Sequence, residues 1–465
     1  MKNKGDSPIE SRRKALRNIG LCALLAGTGR LLWSCVPTKD KQKGSDSTYG
    51  SMTYRINPST GDKVSLLGYG CMRYPTLPDT EGIVDQEAVN ESIDYALAHG
   101  VNYFDTSPAY CKGQSETATG IALSRHPRDK YYIATKLSNF SPPTWPREKS
   151  IEMYENSLKN LRVDYIDYLL LHGIGMGGME AYNGRYEDNG MLDFLIAEKK
   201  AGRIRNLGFS YHGEIEVFDH LLRLHDEGRV QWDFVQIQLN YVDWLHAKEV
   251  NTRNTNGEYL YGELEKRGIP SVIMEPLLGG RLASVPENLS RMLKEERPDD
   301  TIAKWAFRYA GTPEGVLTVL SGMTYMDHLK ENIATYSPLE PITDHEDHLL
   351  QRVATMMLQY PIVNCTVCSY CMPCPYGLDI PVIFSHYNKM VNEGSIVTDR
   401  RDPAYIKARR DFLVGLSRKV EPRRQADRCV DCGECLAHCP QGIAIPSEMA
   451  RIHEYTESLR RQPLS

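Results

Sequence analysis

Four side chains that can exchange protons follow predicted β-strands along the chain. Asp105 and Tyr110 come directly after an apolar run that ends at Phe104, and Lys136 and His172 end the next two apolar runs. In parallel α/β sheets the carboxyl ends of the strands form the face at which ligands bind. The spacing therefore predicts one shared site for the four side chains.

The chemistry expected of such a site is proton transfer to oxygen. Lys136 at the end of a buried strand needs a compensating charge, and Asp105 is the expected partner. An ammonium beside the phenol of Tyr110 is expected to lower the phenol pKa from about 10, so that a proton can pass to a carbonyl oxygen. Taken singly, a strand-end Asp more often caps a helix and a lone His more often bonds locally. The ordered set of four favours catalysis.

The segments FDTSPAY, ATK and LLLH, which contain these residues, resemble the tetrad segments of the aldo/keto reductase family, and the similarity extends over residues 53–332. The resemblance implies that Asp105, Tyr110, Lys136 and His172 are catalytic. Tyr110 would be the general acid/base for a small carbonyl or alcohol substrate, and a neutral His172 would orient the carbonyl oxygen. Hydride would pass to or from a bound nicotinamide.

The same resemblance implies cofactor contacts in the second half of this region. Ser210 and Gln236 would bond the carboxamide, and an aromatic next to them would stack on the nicotinamide ring. Gly279 and Gly280 would let the backbone approach the pyrophosphate, although each glycine could equally be a plain turn. The residues that match cofactor-lining segments are Ser210, Gln236, Glu275, Gly279, Gly280, Ser321, Gly322, Met323, Glu331 and Asn332.

Two departures from the family pattern leave the choice between NAD and NADP open. Tyr211 follows Ser210 where an Asn is usual, and residues 321–323 replace the proline and basic residue that many relatives use for the 2′-phosphate. Glu331 and Asn332 would hold the adenine in either case.

Eight apolar runs alternate with helical patterns, which favours an α/β fold with a closed (β/α)8 TIM barrel. A hairpin is predicted before them, from Met52 to Tyr69. Loops 173–190, 241–256 and 74–83 are expected to wall the substrate pocket. The predicted strands are residues 66–70, 101–105, 131–136, 166–172, 204–210, 234–240, 271–276 and 317–322.

Eight of the 12 cysteines lie in two motifs near the C-terminus, which indicates metal ligation. The motifs are Cys365-x2-Cys368-x2-Cys371-x2-Cys374 and Cys429-x2-Cys432-x2-Cys435-x3-Cys439, each followed by proline. The second is the bacterial ferredoxin run, in which the fourth cysteine serves the other cluster.

Crosswise ligation would build two [4Fe–4S] clusters. The first would be held by Cys365, Cys368, Cys371 and Cys439, and the second by Cys374, Cys429, Cys432 and Cys435. The first motif has two residues before its fourth cysteine where three are standard. Zinc is the alternative for paired Cys-x2-Cys units, but two four-cysteine runs favour iron–sulfur chemistry. The fold class expected after the barrel is therefore a small, mostly helical ferredoxin-like domain.

The N-terminus has the features of an export signal. Arg12 and Arg13 precede a mostly apolar run, residues 19–33, and resemble a twin-arginine signal. Cys35 stands where a lipoprotein would be lipidated. A basic tail before a chance apolar helix is the alternative reading. The predicted location is exported, either periplasmic or anchored to a membrane only through Cys35.

The predicted organisation is a signal (1–35), a linker (36–51), a reductase barrel (52–340) and an iron–sulfur domain (341–465). The net charge of −5 gives no reason to expect a nucleic-acid partner. We expect an oxidoreductase that interconverts a carbonyl and an alcohol and passes electrons through its clusters to a redox partner protein. The alternatives are an electron-transfer protein with an idle barrel and a surface-binding lipoprotein.

Conversion of Arg12 and Arg13 to Lys is expected to leave the precursor in the cytoplasm, because the arginine pair is the part of the signal that the export pathway recognises. Cell fractionation measures this, and Arg17→Lys, outside the pair, is the control. Normal export of the double variant would contradict the signal assignment.

Overall fold

The computed structural model describes residues 50–80 and 82–461, and the predicted signal lies outside them. Its strands are β1 (Tyr54–Ile56), β2 (Lys63–Ser65), β3 (Leu67–Gly70), β4 (Tyr103–Asp105), β5 (Tyr132–Leu137), β6 (Ile166–Ile174), β7 (Ile204–Tyr211), β8 (Phe234–Gln238), β9 (Ser271–Met274) and β10 (Val316–Ser321). Strands β3 to β10 close into a parallel barrel in chain order, with β10 paired to β3.

Helices cover the barrel and form most of the C-terminal region. They are α1 (Gln86–Ala98), α2 (Ser115–Leu123), α3 (Arg147–Leu161), α4 (Gly178–Tyr182), α5 (Met191–Lys200), α6 (Ile215–Asp226), α7 (Asp243–Val250), α8 (Gly257–Glu265), α9 (Glu287–Glu296), α10 (Ile302–Gly311), α11 (Met326–Thr335), α12 (Asp344–Met357), α13 (Ile380–Asn392), α14 (Tyr405–Lys419) and α15 (Ile445–Arg460). Among the described residues, none of the helices is long and apolar enough to span a membrane.

The barrel prediction is confirmed, and no strand end differs from the expected one by more than two residues. The apolar signal of the strands in the sequence was strong, because the strands of a parallel barrel are covered on both faces. Every residue of β6 is buried, for example, so its sequence is a nearly continuous apolar run.

The N-terminal end of the barrel is closed by aromatic rings and by the β1–β2 hairpin. The ring of Tyr168 lies 5.0 Å from that of Tyr103 and 5.0 Å from that of Phe234, both edge-on. The hydroxyl of Tyr168 donates to Asp62 of the hairpin at 3.0 Å. This packing leaves the opposite, C-terminal end of the strands as the open face.

The C-terminal region is joined to the barrel by α12. Nη1 and Nη2 of Arg308 on α10 donate to the carboxylate of Glu346 on α12, at 2.9 Å each. Beyond it, α13, α14 and α15 share an apolar core that includes Phe384, Phe412 and Met449. The predicted helical interval after residue 380 is thus two helices, α13 and α14.

Candidate active site

The four predicted catalytic residues come together at the C-terminal ends of β4, β5 and β6. Asp105 ends β4, Lys136 lies in β5 and His172 in β6, while Tyr110 opens the short helical turn after β4. The ammonium of Lys136 donates to Asp105 Oδ1 at 2.5 Å and to the carbonyl of Thr106 at 2.9 Å. Lys136 is 1% exposed, so this ion pair is buried.

The phenol of Tyr110 lies between Lys136 and His172. Its ring centroid is 4.9 Å from Lys136 Nζ and 5.9 Å from the imidazole centroid, and the two rings are nearly perpendicular, at 84°. The arrangement brings a phenol, an ammonium and an imidazole around one small volume.

The prediction that Lys136 lowers the pKa of Tyr110 is wrong. Burial raises the pKa of Tyr110 well above its usual value, and the nearby Asp105 carboxylate raises it further. Lys136 does not offset this, because its charge is neutralised by Asp105 at contact distance. Tyr110 is therefore a protonated phenol at neutral pH, ready to donate.

Sequence reasoning missed the residues that hold His172. Its Nδ1 lies 2.6 Å from the hydroxyl of Ser138 and 3.4 Å from that of Ser107, and the two hydroxyls are 2.8 Å apart. Burial first, and then the charges of Lys136 and Arg185, lowers the pKa of His172 well below its usual range. The imidazole is thus neutral, and with Nδ1 engaged it has Nε2 for a ligand.

Arg185 supports the site from the segment predicted as a pocket loop. It is 2% exposed and donates to the backbone carbonyl of His172 at 2.5 Å and to the side chain of Asn139 at 3.1 Å. That segment contains α4 and a helical turn, and α5 begins directly after it. Its sequence showed glycines and methionines but gave no signal that an arginine would turn inward.

A cavity of about 380 Å³ opens at this face and contains the tetrad. Nine of the ten predicted cofactor residues line it: Ser210, Gln236, Glu275, Gly279, Gly280, Ser321, Gly322, Glu331 and Asn332. The exception is Met323, which is 1% exposed and whose carbonyl accepts from Tyr69 at 3.0 Å. The predicted loops contribute Gly173 and Met176 from 173–190 but, among the described residues, none from 241–256 or 74–83.

The expected aromatic stack is not found next to Ser210. The ring of Tyr211 packs on Phe218 at 5.1 Å, and Tyr211 is not part of the cavity lining in the described structure. The ring that lines the cavity there is His212, whose pKa is lowered to about 4 by burial. The amide oxygen of Gln236 is buried, with no hydrogen-bond partner in the described residues.

Part of the cavity wall comes from the cysteine-rich region, which the sequence did not reveal. Thr366, Cys368 and Tyr370 belong to the first cysteine motif, and Pro440 and Gln441 follow the second; all line the cavity. The C-terminal region therefore covers the catalytic face of the barrel.

Direct contacts fix this arrangement. Arg73, after β3, donates to the carbonyls of Thr366 at 2.6 Å and Val367 at 3.1 Å. A Cβ on Gly279 would lie 2.2 Å from the Cα of Thr366, so only glycine fits there. Asn251 donates to the carbonyl of Pro440 at 2.9 Å. The sequence left Gly279 open as a pyrophosphate contact or a plain turn, and the structure packs it against the backbone of Thr366.

The eight cysteines form the two crosswise sets. One small cavity is lined by Cys365, Cys368, Cys371 and Cys439, and another by Cys374, Cys429, Cys432 and Cys435. Four sulfurs around a cavity are the donor set for a [4Fe–4S] cluster. Within residues 50–80 and 82–461, no group of three or more His, Cys, Asp or Glu side chains forms a single-ion site.

Comparison with known proteins agrees with this division. A model of the aldo/keto reductase family matches residues 66–348, and a model of the 4Fe-4S dicluster domain matches residues 364–444. The chain is similar to L-galactose dehydrogenase of Arabidopsis thaliana, with 25% identity over 66% of this chain and 94% of that protein. It is also similar to the NADH-specific methylglyoxal reductase of Escherichia coli, with 25% identity over 59% and 91%.

Solved structures share the barrel. The holo form of an aldo-keto reductase from Bacillus halodurans superposes with a TM-score of 0.52 at 23% identity, over 65% of this chain and 96% of that one. An aldo-keto reductase from Klebsiella pneumoniae in complex with NADPH gives a TM-score of 0.51 at 18% identity, over 66% and 95%. Because the family model spans more than half of the chain, this protein belongs to the aldo/keto reductase family, as an oxidoreductase that carries a C-terminal 4Fe-4S dicluster domain.

Proposed function

We propose that this protein is an exported oxidoreductase that interconverts a small carbonyl compound and its alcohol and exchanges the electrons through two [4Fe–4S] clusters. One observation carries the proposal: Cys368 of the first cysteine set lines the same cavity as Tyr110 and His172. A reductase barrel that acts without clusters does not need a cluster-binding loop in the wall of its substrate cavity.

The barrel residues divide the proton chemistry between them. Tyr110 gives its proton to the carbonyl oxygen during reduction, because burial keeps the phenol protonated. Lys136, paired with Asp105, holds its ammonium 4.9 Å from the centroid of the phenol ring. His172, fixed at Nδ1 by Ser138, orients the carbonyl oxygen through its other ring nitrogen.

A nicotinamide dinucleotide, when bound, supplies hydride transfer. The unpartnered amide oxygen of Gln236 fits the amide hydrogens of a carboxamide, and the hydroxyl of Ser210, which accepts from Gly173 at 2.9 Å, lies in the same wall. At the other end Asn332 donates to Ser321 at 3.0 Å, and Glu331 accepts from Thr301. The choice between NAD and NADP stays open.

The two cysteine sets differ in their distance from the cavity. The set that includes Cys368 lies at the cavity wall, whereas Cys432 of the other set is exposed. Around it Val430 is 56% exposed and Tyr376 51%, which gives a redox partner protein an apolar contact. When loaded, the clusters supply one-electron transfer, and two of them together hold the electron pair of one hydride.

Export fits this scheme. The twin-arginine pathway carries folded proteins, so clusters are assembled before transport. Free NADH and NADPH are cytoplasmic, and an exported enzyme therefore has to keep its nicotinamide bound and recycle it through the clusters. Residues 12, 13 and 35, on which the signal and the lipid anchor rest, lie outside the described structure.

The names of the relatives supply the first probes. Methylglyoxal and L-galactose are a small aldehyde and an aldose, so we propose small polar carbonyl compounds and sugars as the substrate class.

Tyr110→Phe is expected to lower kcat/KM for methylglyoxal by about 10²- to 10⁴-fold, the usual contribution of a general acid. Anoxic assays with NADH and NADPH measure this, and circular dichroism checks the fold. The matched control is Tyr103→Phe, since that hydroxyl is buried, has no partner in the described residues and lies outside the cavity. Full activity of the Tyr110 variant would overturn the assignment of the acid.

Protein purified without oxygen is expected to contain about eight irons per chain, four for each cluster. Combined Cys429→Ser and Cys432→Ser substitutions should halve the iron and stop turnover driven by a viologen dye, because the exit cluster is lost. A single turnover, in which bound NADH reduces methylglyoxal, should still occur, because the tetrad and cofactor residues are unchanged.

Cys111→Ser is the control for the iron count, since Cys111 belongs to neither cysteine set. Full dye-linked turnover in the double variant would show that the clusters are structural. About four irons in the unaltered protein, or stoichiometric zinc, would show that one or both motifs hold something else.

A further inference from the structure

Two buried oxygens lie in the wall between the cavity that contains the tetrad, here called the tetrad cavity, and the first cysteine set. Thr366, Cys368 and Gln441 line both the tetrad cavity and the small cavity of that cysteine set. Thr366 is 1% exposed and Gln441 is 3% exposed. Their side-chain oxygens, Oγ1 and Oε1, are buried with no hydrogen-bond partner in the described residues. Because a buried oxygen without a partner is costly, these two atoms indicate that a bound ligand supplies one.

The chemistry on the two sides of the wall decides which cavity the amide oxygen of Gln441 serves. An amide oxygen only accepts hydrogen bonds. The thiolates and sulfides of a cluster are acceptors as well, so the first cysteine set offers this oxygen no donor. Its partner must therefore come from a ligand in the tetrad cavity. The hydroxyl of Thr366 both donates and accepts, so it can serve either side, and the inference rests on Gln441.

We propose that Gln441 is a binding residue for the nicotinamide dinucleotide and accepts a hydrogen bond from one of its ribose hydroxyls. This inference rests on the proposed function, since it assumes that the tetrad cavity takes the dinucleotide. The amide hydrogens of the carboxamide have Gln236 as their proposed partner, and the adenine end has Asn332. Phosphate oxygens only accept, so the ribose hydroxyls are the donors that remain. The cysteine-rich region is thus part of the cofactor site as well as a carrier of clusters.

The segment that carries Gln441 is fixed to the barrel at the residue before it. Asn251, directly after α7, donates through Nδ2 to the carbonyl of Pro440 at 2.9 Å, and Asn251 is 3% exposed. A dinucleotide bonded to Gln441 is released only when this additional bond breaks, so the contact acts mainly on the rate of release. Slow release is what an exported enzyme needs if it recycles one bound nicotinamide through its clusters.

The test measures NADH binding to the full chain, purified without oxygen and freed of bound nucleotide, by anoxic calorimetry and by the rate of NADH release. Gln441→Met keeps a side chain of similar length but removes the acceptor. It is expected to weaken NADH binding about tenfold, because a ribose hydroxyl is left without a partner. Gln351→Met is the matched control, since Oε1 of Gln351 is also buried and unpartnered in the described residues but Gln351 does not line the tetrad cavity. Its NADH affinity should equal that of the unaltered protein.

The outcomes separate the two proposals. Unaltered protein that binds neither NADH nor NADPH would refute the proposed function. Equal NADH affinity in Gln441→Met and Gln351→Met, with the iron content of both unchanged, would refute the role of Gln441 alone. If Gln441→Met loses its iron, Asn251→Asp decides the question, because a carboxylate facing the carbonyl of Pro440 loosens this segment without altering a cysteine. NADH release should then be faster, and an unchanged release rate in that variant also overturns the proposal.

Discussion

The contact between Gly279 and the first cysteine loop determines how this molecule can work. Because a side chain at residue 279 would clash with the backbone of Thr366, the loop reaches the barrel only over a glycine. Arg73 then holds the loop through two carbonyls. As a result Cys368 and Tyr370 become walls of the cavity that contains the tetrad. Through this contact the barrel and the cysteine-rich region share the walls of one cavity.

Burial controls the chemistry inside the cavity. The ion pair of Lys136 and Asp105 is buried, so the carboxylate neutralises the lysine charge. The phenol of Tyr110 therefore keeps its proton. The same burial, with Arg185 behind it, keeps His172 neutral. The site is therefore ready to donate a proton to the substrate during reduction.

The sequence was informative where the signal is local and periodic. The buried parallel strands, the strand-end positions of Asp105 and Lys136, and the cysteine spacings could all be read directly from it. Features that depend on long-range packing could not be. The inward turn of Arg185, the turn of Tyr211 toward Phe218 and the docking of residue 366 on the barrel involve partners distant in sequence. The predicted low pKa of Tyr110 is wrong, because the sequence indicated the neighbouring lysine charge but not how deeply the phenol is buried.

The central claim is that the cavity and the clusters form one redox unit, and a stoichiometric transfer tests it most directly. Both clusters would be reduced without oxygen, the excess reductant removed, and one equivalent of NAD added with methylglyoxal. The account predicts that the clusters are reoxidised at a rate independent of protein concentration, with about one alcohol formed per chain from the two stored electrons. Clusters that stay reduced, with alcohol formed only after NADH is added, would contradict it.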